Sequence, residues 1–204
     1  MRQEVAQGNP LVRAELTKRG FRGNTLSEMA ARGDLYRVAH GVYASTSGSA
    51  SELFDYELAA KVVPAGVFTL FSALRIHGLT DENPRQMTMA IPAKSHAPKS
   101  TLPVEFIYMK PEILAKGVEV KSPHGSEFRV FSVERTIVEC FKARNKIGVD
   151  VAVRALRDAV SKGKVDFARL GRAMSDCRMS VWARAAAPSA AVKVSELNSH
   201  GSSV

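Results

Sequence analysis

Apolar residues recur first at helical spacing and then in alternation within one short stretch near the start of the chain. In residues 22–44, Leu26, Met29 and Ala30 share one helical face while Asn24, Ser27 and Arg32 turn away from it. Thr25 and Glu28 form a Thr-x-x-Glu capping box, which predicts that the helix starts at Thr25. Gly33 supplies the left-handed stop. Leu35, Val38 and Val42 are then the inward positions of a hairpin turning at His40-Gly41. A capped helix followed by a small hairpin predicts the recognition helix and wing of a winged helix-turn-helix, a module that lays one helix in a DNA major groove. Upstream, residues 11–19 read as another helix, with Val12 and Leu16 as its apolar pair and Gly20 as its stop. Phe21 fills the gap between the two helices, and residues 2–7 are a candidate first helix.

A run of small residues over 45–51 reads as a linker. Ser51 caps the next helix, with Glu52 in its first turn and Leu53, Phe54, Leu58 and Val62 along it, and residues 64–66 close it. Residues 68–77 read as a helix carrying Phe68, Phe71 and Leu74, stopped by Gly78. Residues 86–91, 104–108, 118–121 and 127–131 alternate like strands, the last two joined by a turn over 122–126. Three helices follow: one capped by Ser132 with Val133, Ile137, Val138 and Phe141, one from Asp150 with Val153, Leu156 and Val160, and one from Asp166 with Phe167, Leu170 and Met174. The predicted fold class is α+β. It comprises a winged helix-turn-helix over residues 1–46, a larger mixed α+β domain over 51–180 and a polar, mobile tail over 186–204.

Charge changes this picture by suggesting a partner. The 204 residues carry a net charge of +9, which favours an anionic partner such as nucleic acid. Residues 1–48 hold seven Lys/Arg against four Asp/Glu, residues 49–141 ten against eleven, and residues 142–184 eleven against four. The strongest positive field therefore lies in the C-terminal helices, which keeps a second DNA-backbone contact, RNA or an acidic protein open as partners. No run of apolar residues is long enough for a membrane span, and the N-terminus lacks a signal-peptide core, so a cytoplasmic protein is expected. Cys140 and Cys177 sit singly in helical patterns and read as buried small hydrophobes.

Catalytic chemistry has little to stand on. The sequence contains no phosphate-binding glycine loop, no His-x-x-x-His and no Cys-x-x-Cys. His77, His96, His124 and His200 are scattered. Asp81, Glu82 and Glu105 are carboxylates without a nuclease-like lysine partner. The expectation is a protein that is not an enzyme and that has no metal or cofactor. The densest polar cluster is Ser132-x-Glu134-Arg135-Thr136. Ser132 caps and Glu134 answers the macrodipole on one reading; on the other, Arg135 or Thr136 faces outward as part of a partner surface.

Three separated motifs occur in order: residues 16–43 ending in Gly41-Val42-Tyr43, then Ser72-Ala73-x-x-x-His77-Gly78-Leu79, then residues 132–139. Over roughly residues 10–175 this order resembles the AbiEi-type antitoxins. The resemblance implies an autoregulating transcriptional repressor in a bacterial toxin–antitoxin operon, with a role in phage defence. Its winged domain would bind repeated operator DNA, two copies meeting there, and its larger domain would counter a nucleotidyltransferase-like toxin without a tight complex being assumed. Ser132, Glu134, Arg135, Thr136, Arg154 and Arg157 are the candidate antitoxin surface.

On this expectation the DNA-binding residues are Arg22, Asn24, Thr25 and Ser27 at the head of the helix, Lys18 and Arg19 on the backbone, and Arg37 and His40 on the wing. Two rivals stand beside it: a ligand-responsive repressor with no toxin partner, and a protein-modifying or nucleic-acid-processing enzyme.

Overall fold

The computed structural model describes residues 9–46, 53–123 and 126–179. The helix expected over 2–7, most of the 45–51 linker, the Ser51–Glu52 helix start, His124 and the tail over 186–204 lie outside the described residues.

The chain folds as mixed α+β. Its first part runs β1 (Leu11–Val12), α1 (Arg13–Lys18), α2 (Thr25–Ala31), β2 (Leu35–Ala39) and β3 (Val42–Ser45). The three strands form an antiparallel sheet in the order β1-β3-β2. Residues 11 and 12, expected in a helix, are instead a strand: Leu11 pairs with Tyr43 and Val12 with Val42, leaving α1 to begin at Arg13. A sheet edge supplied from thirty residues away thus outweighs the local helical pattern. Leu11, Leu16, Leu26, Met29, Leu35 and Tyr43 are buried together, with Phe21 packed against them.

The hairpin turns at His40-Gly41 as its sequence predicts, with Gly41 at φ +74°. Gly33, at φ +84°, ends α2: its amide bonds the Ala30 carbonyl, and the Asp34 amide bonds that of Met29. The capping box does not form. Asn24 is the N-cap residue and Thr25 the first helical one, and no side chain caps the helix.

The second part is a five-stranded mixed sheet in the order β6-β5-β4-β8-β7. Its strands are β4 (Val67–Phe68), β5 (Met87–Pro92), β6 (Val104–Met109), β7 (Val118–Lys121) and β8 (Phe128–Phe131). Phe68, expected in a helix, is the central strand residue, opposite Met89 on one side and Val130 on the other. The helices are α3 (Phe54–Val62), α4 (Leu70–Ile76), α5 (Pro111–Leu114), α6 (Val133–Lys142), α7 (Arg144–Ile147), α8 (Val149–Ser161) and α9 (Phe167–Asp176). Tyr56 on α3 meets Phe68 edge to face at 5.1 Å, and Phe68 meets Phe128 in the same way at 5.7 Å. Helices α4, α6, α8 and α9 share a second core around Leu74, Ile137, Phe141, Leu156 and Leu170. Both cysteines are buried free thiols, and burial pushes the Cys177 thiol up to about 11.

The two parts are in contact. Val38, Val42 and Ala44 from the hairpin are buried against Phe54 and Leu58 of α3. The Thr101 amide bonds the Val38 carbonyl at 3.0 Å, and Lys61 on α3 pairs with Glu15 on α1 at 2.8 Å. No helix among the described residues is long and apolar enough to cross a membrane.

Candidate nucleic-acid interface

Helix α2 buries Leu26 and Met29 and turns Asn24, Ser27, Glu28 and Ala31 to solvent, with Thr25 half-buried. This is the face the apolar spacing demands. Gly20, at φ +85°, reverses the chain after α1, so that exposed Lys18 and Arg19 close one helix and exposed Arg22 precedes the next. Lys18 and Arg22 make no ion pair among the described residues.

Across the sheet, Arg37 and His40 form one unit at the hairpin tip. Arg37 Nε donates to the Ala39 carbonyl at 3.2 Å, and its Nη2 lies 3.0 Å from His40 Nδ1. A guanidinium has only donors, so Nδ1 is the acceptor and the imidazole proton sits on Nε2.

The residue that ties these pieces together is one the sequence did not single out. Arg13 opens α1 with its amide bonded to the Gly41 carbonyl at 2.8 Å, directly at the hairpin turn. Its Nη2 donates to Ser27 Oγ at 2.7 Å and to the Tyr43 hydroxyl at 3.0 Å, and these two oxygens are 3.3 Å apart. One residue therefore holds α2 and β3 through its guanidinium and the turn through its backbone amide. The Ser27 hydrogen bond, with the Arg13 charge beside it and Arg37 farther off, holds the Tyr43 phenol below the ordinary tyrosine range despite opposing desolvation. No local signal marks Arg13. Tyr43 was visible only as the end of the Gly-Val-Tyr motif.

The residues expected to form an antitoxin surface are placed otherwise. Ser132, Glu134, Arg135 and Thr136 are all buried, Arg135 to 1% exposure, because α6 is enclosed by β8, α4, α8 and α9. Ser132 caps the helix by accepting from the Arg135 amide, and Thr136 Oγ1 donates to the Phe131 carbonyl at 3.1 Å. Glu134 accepts from the Asp166 amide at 3.1 Å, linking α6 to the start of α9. Arg135 lies 4.6 Å above the Phe131 ring and pairs with Glu139 at 2.8 Å. That contact is an ion pair without hydrogen-bond alignment, and none of the three guanidinium nitrogens has a hydrogen-bond partner among the described residues. Only Arg154 and Arg157 of that set are exposed, and Arg154 pairs with Glu82 at 2.8 Å.

The C-terminal positive charge is largely engaged in the same way. Lys146 pairs with Glu105, Arg169 lies near Glu119 and Glu134, and Lys162 and Lys164 each donate to a carbonyl at 2.6 Å. Glu82 and Glu105 thus each face a cation, and no group of three or more His, Cys, Asp or Glu among the described residues is placed to hold a metal ion. Between the two parts of the fold lies an open groove of about 360 Å³, lined by Val12, Glu15, Lys61, Val120, Glu127 and Arg129 among others.

No protein-family model matches the sequence, and no curated protein gives a significant match. Among solved structures the chain is similar to the RV2827C protein from Mycobacterium tuberculosis, at 16% identity and a TM-score of 0.57. The match covers 85% of this chain and 69% of that one. At that identity the likeness shows the fold alone, an arrangement of helices and sheets in the α+β class.

Proposed function

We propose that residues 9–46 are a winged helix-turn-helix and that the protein is a duplex-DNA-binding repressor. The observation that carries this reading is the α2 surface. A helix with one face in the core leaves Asn24 and Ser27 outward and Thr25 half-buried, preceded by Lys18, Arg19 and Arg22 and flanked by the Arg37–His40 hairpin tip. The order β1-α1-α2-β2-β3, with β1 beside β3, supports it, because that sheet braces the hairpin as a wing. Phosphate contacts from Lys18, Arg19, Arg22 and Arg37 would set register, and α2 would read base edges.

The AbiEi-type resemblance extends the proposal: a cytoplasmic antitoxin, not an enzyme, that represses its own operon and counters a nucleotidyltransferase-like toxin. Burial of residues 132–136 moves any antitoxin surface to other residues of the second part, with Arg154 and Arg157 remaining candidates. Binding of repeated operator duplex as a function of salt tests the repressor role. Arg22→Ala should flatten the slope of log affinity against log salt by about 0.9. Unchanged affinity in both Arg22→Ala and Asn24→Ala removes α2 from the DNA. Co-expression with a neighbouring nucleotidyltransferase gene tests the antitoxin role, with rescue of growth expected.

The groove of about 360 Å³ favours one second reading, a ligand-responsive repressor without a toxin, since it touches both β1–α1 and the five-stranded sheet. A metabolic rather than toxin gene beside this one, with no rescue, would decide for it.

A further inference from the structure

We infer that Glu28, held by Asn24, reads the exocyclic amino group of a cytosine in the major groove and so fixes one base in each half-site. The inference rests on the duplex-binding reading above and deepens it.

Asparagine is a favoured N-cap residue because its side chain can accept from the helix's first amides. Here Asn24 occupies that position and makes no such bond. Its Nδ2 instead donates to Glu28 Oε1 at 2.5 Å along the exposed side of α2. A carboxylate only accepts, so the amide nitrogen must face it, which leaves Asn24 Oδ1 and Glu28 Oε2 as the acceptors of the pair not used in that bond. Neither oxygen has a hydrogen-bond partner among the described residues, and Glu28 makes no ion pair there.

An acceptor pair on an otherwise basic surface cannot face a phosphate without repulsion. In the major groove it discriminates sharply. Guanine offers N7 and O6, thymine offers O4, and adenine sets its N7 acceptor beside its N6 donor. Cytosine offers the N4 amino donor alone, the edge a carboxylate suits. The asparagine amide, already used by Glu28, is not available for the bidentate contact that would select adenine.

The test enriches a randomised duplex pool with the full chain and with Glu28→Gln, Glu28→Ala and Asn24→Ala variants. Wild type should select one cytosine per half-site, discriminating against other bases by roughly 5- to 150-fold. Glu28→Gln should lose that cytosine and admit adenine, and Glu28→Ala should accept any base there, both without change at other positions, while Asn24→Ala should weaken the cytosine preference. A cytosine retained in Glu28→Ala overturns the inference, as does a wild-type consensus lacking cytosine or a uniform affinity gain with an unchanged consensus. Those results leave the duplex-binding reading standing. Failure of wild type to enrich any duplex overturns both. Glu28→Gln is isosteric at an exposed site, so its consensus reports even if Glu28→Ala fails to fold.

Discussion

Arg13 Nη2 stands 2.7 Å from Ser27 Oγ, joining the first residue of α1 to the exposed side of α2 across 14 positions of sequence. The same nitrogen reaches Tyr43, so one side chain adds a polar tie between α2 and the hairpin to the apolar packing of Leu26 and Met29 against Leu35. Arg13→Ala should lower stability by about 1–2 kcal/mol, since hydrogen bonds to a charged donor carry that much and this site is partly solvated. Urea denaturation measures the loss. DNA affinity should fall by more than the removal of one charge explains, and Arg13→Lys, which keeps the charge without the fork, should rescue it only in part.

The phenols should titrate in a set order. Tyr43 is held low, chiefly by Ser27, whereas burial raises Tyr56 and Tyr36. A phenolate-absorbance titration should show an early component that Tyr43→Phe removes and that Ser27→Ala shifts upward. Loss of no early component in Tyr43→Phe would contradict the network.

Acid should destabilise the fold through His77. This residue closes α4, is buried, and donates Nε2–H to the Phe131 carbonyl at 2.7 Å. Burial lowers its pKa below the ordinary 6.5, the Phe131 carbonyl only partly opposing. The folded value is depressed, so the neutral ring's contribution is complete above pH 6.5 and fades as pH falls from there through the folded value. The urea midpoint should drop over that window in the wild type and drop less in His77→Gln.

Arg135 and Arg157 should separate structure from surface. Arg135→Ala leaves Glu139 with Lys142 at 3.3 Å as its remaining cation and should cost about 3–5 kcal/mol, whereas Arg135→Met should cost much less. Arg157→Ala, at an exposed site, should stay within about 0.5 kcal/mol. Thermal unfolding of the three variants provides the comparison, and an Arg135→Ala protein as stable as wild type would refute the buried pairing.

Leu58 is fully buried where α3 meets the hairpin. Leu58→Ala should remove about 2–5 kcal/mol, and hydrogen exchange should then quicken in β2 and β3 as well as in α3.

Local chemistry made part of this fold legible. Gly33 and His40-Gly41 mark the end of α2 and the turn of the hairpin because glycine's positive φ is a property of single positions. Ser132 and Asp166 likewise announce their helices through their own capping oxygens. What the sequence hid is set by distant partners. Leu11–Val12 is a strand because β3 is there to pair with it, and Phe68 is a strand because β5 and β8 flank it. Thr25 and Glu28 match the capping pattern, yet Asn24 takes the N-cap position and Glu28 accepts from its side chain instead. The polar run at 132–136 admits both a capping and a surface reading until four neighbouring elements enclose it. Arg13, Ser27 and Tyr43 come from three elements and meet only once all three have packed.

The burial of Val38, Val42 and Ala44 beneath α3 has a practical corollary for protein engineers. A cassette cut at residue 46 would carry a naked apolar underside and invite clumping, and the remainder would expose Phe54 and Leu58 in turn. Carrying α3 along, through residue 62, covers that underside but bares Tyr56, which packs on Phe68 in the intact chain, so neither cut leaves residues 9–46 on a clean surface.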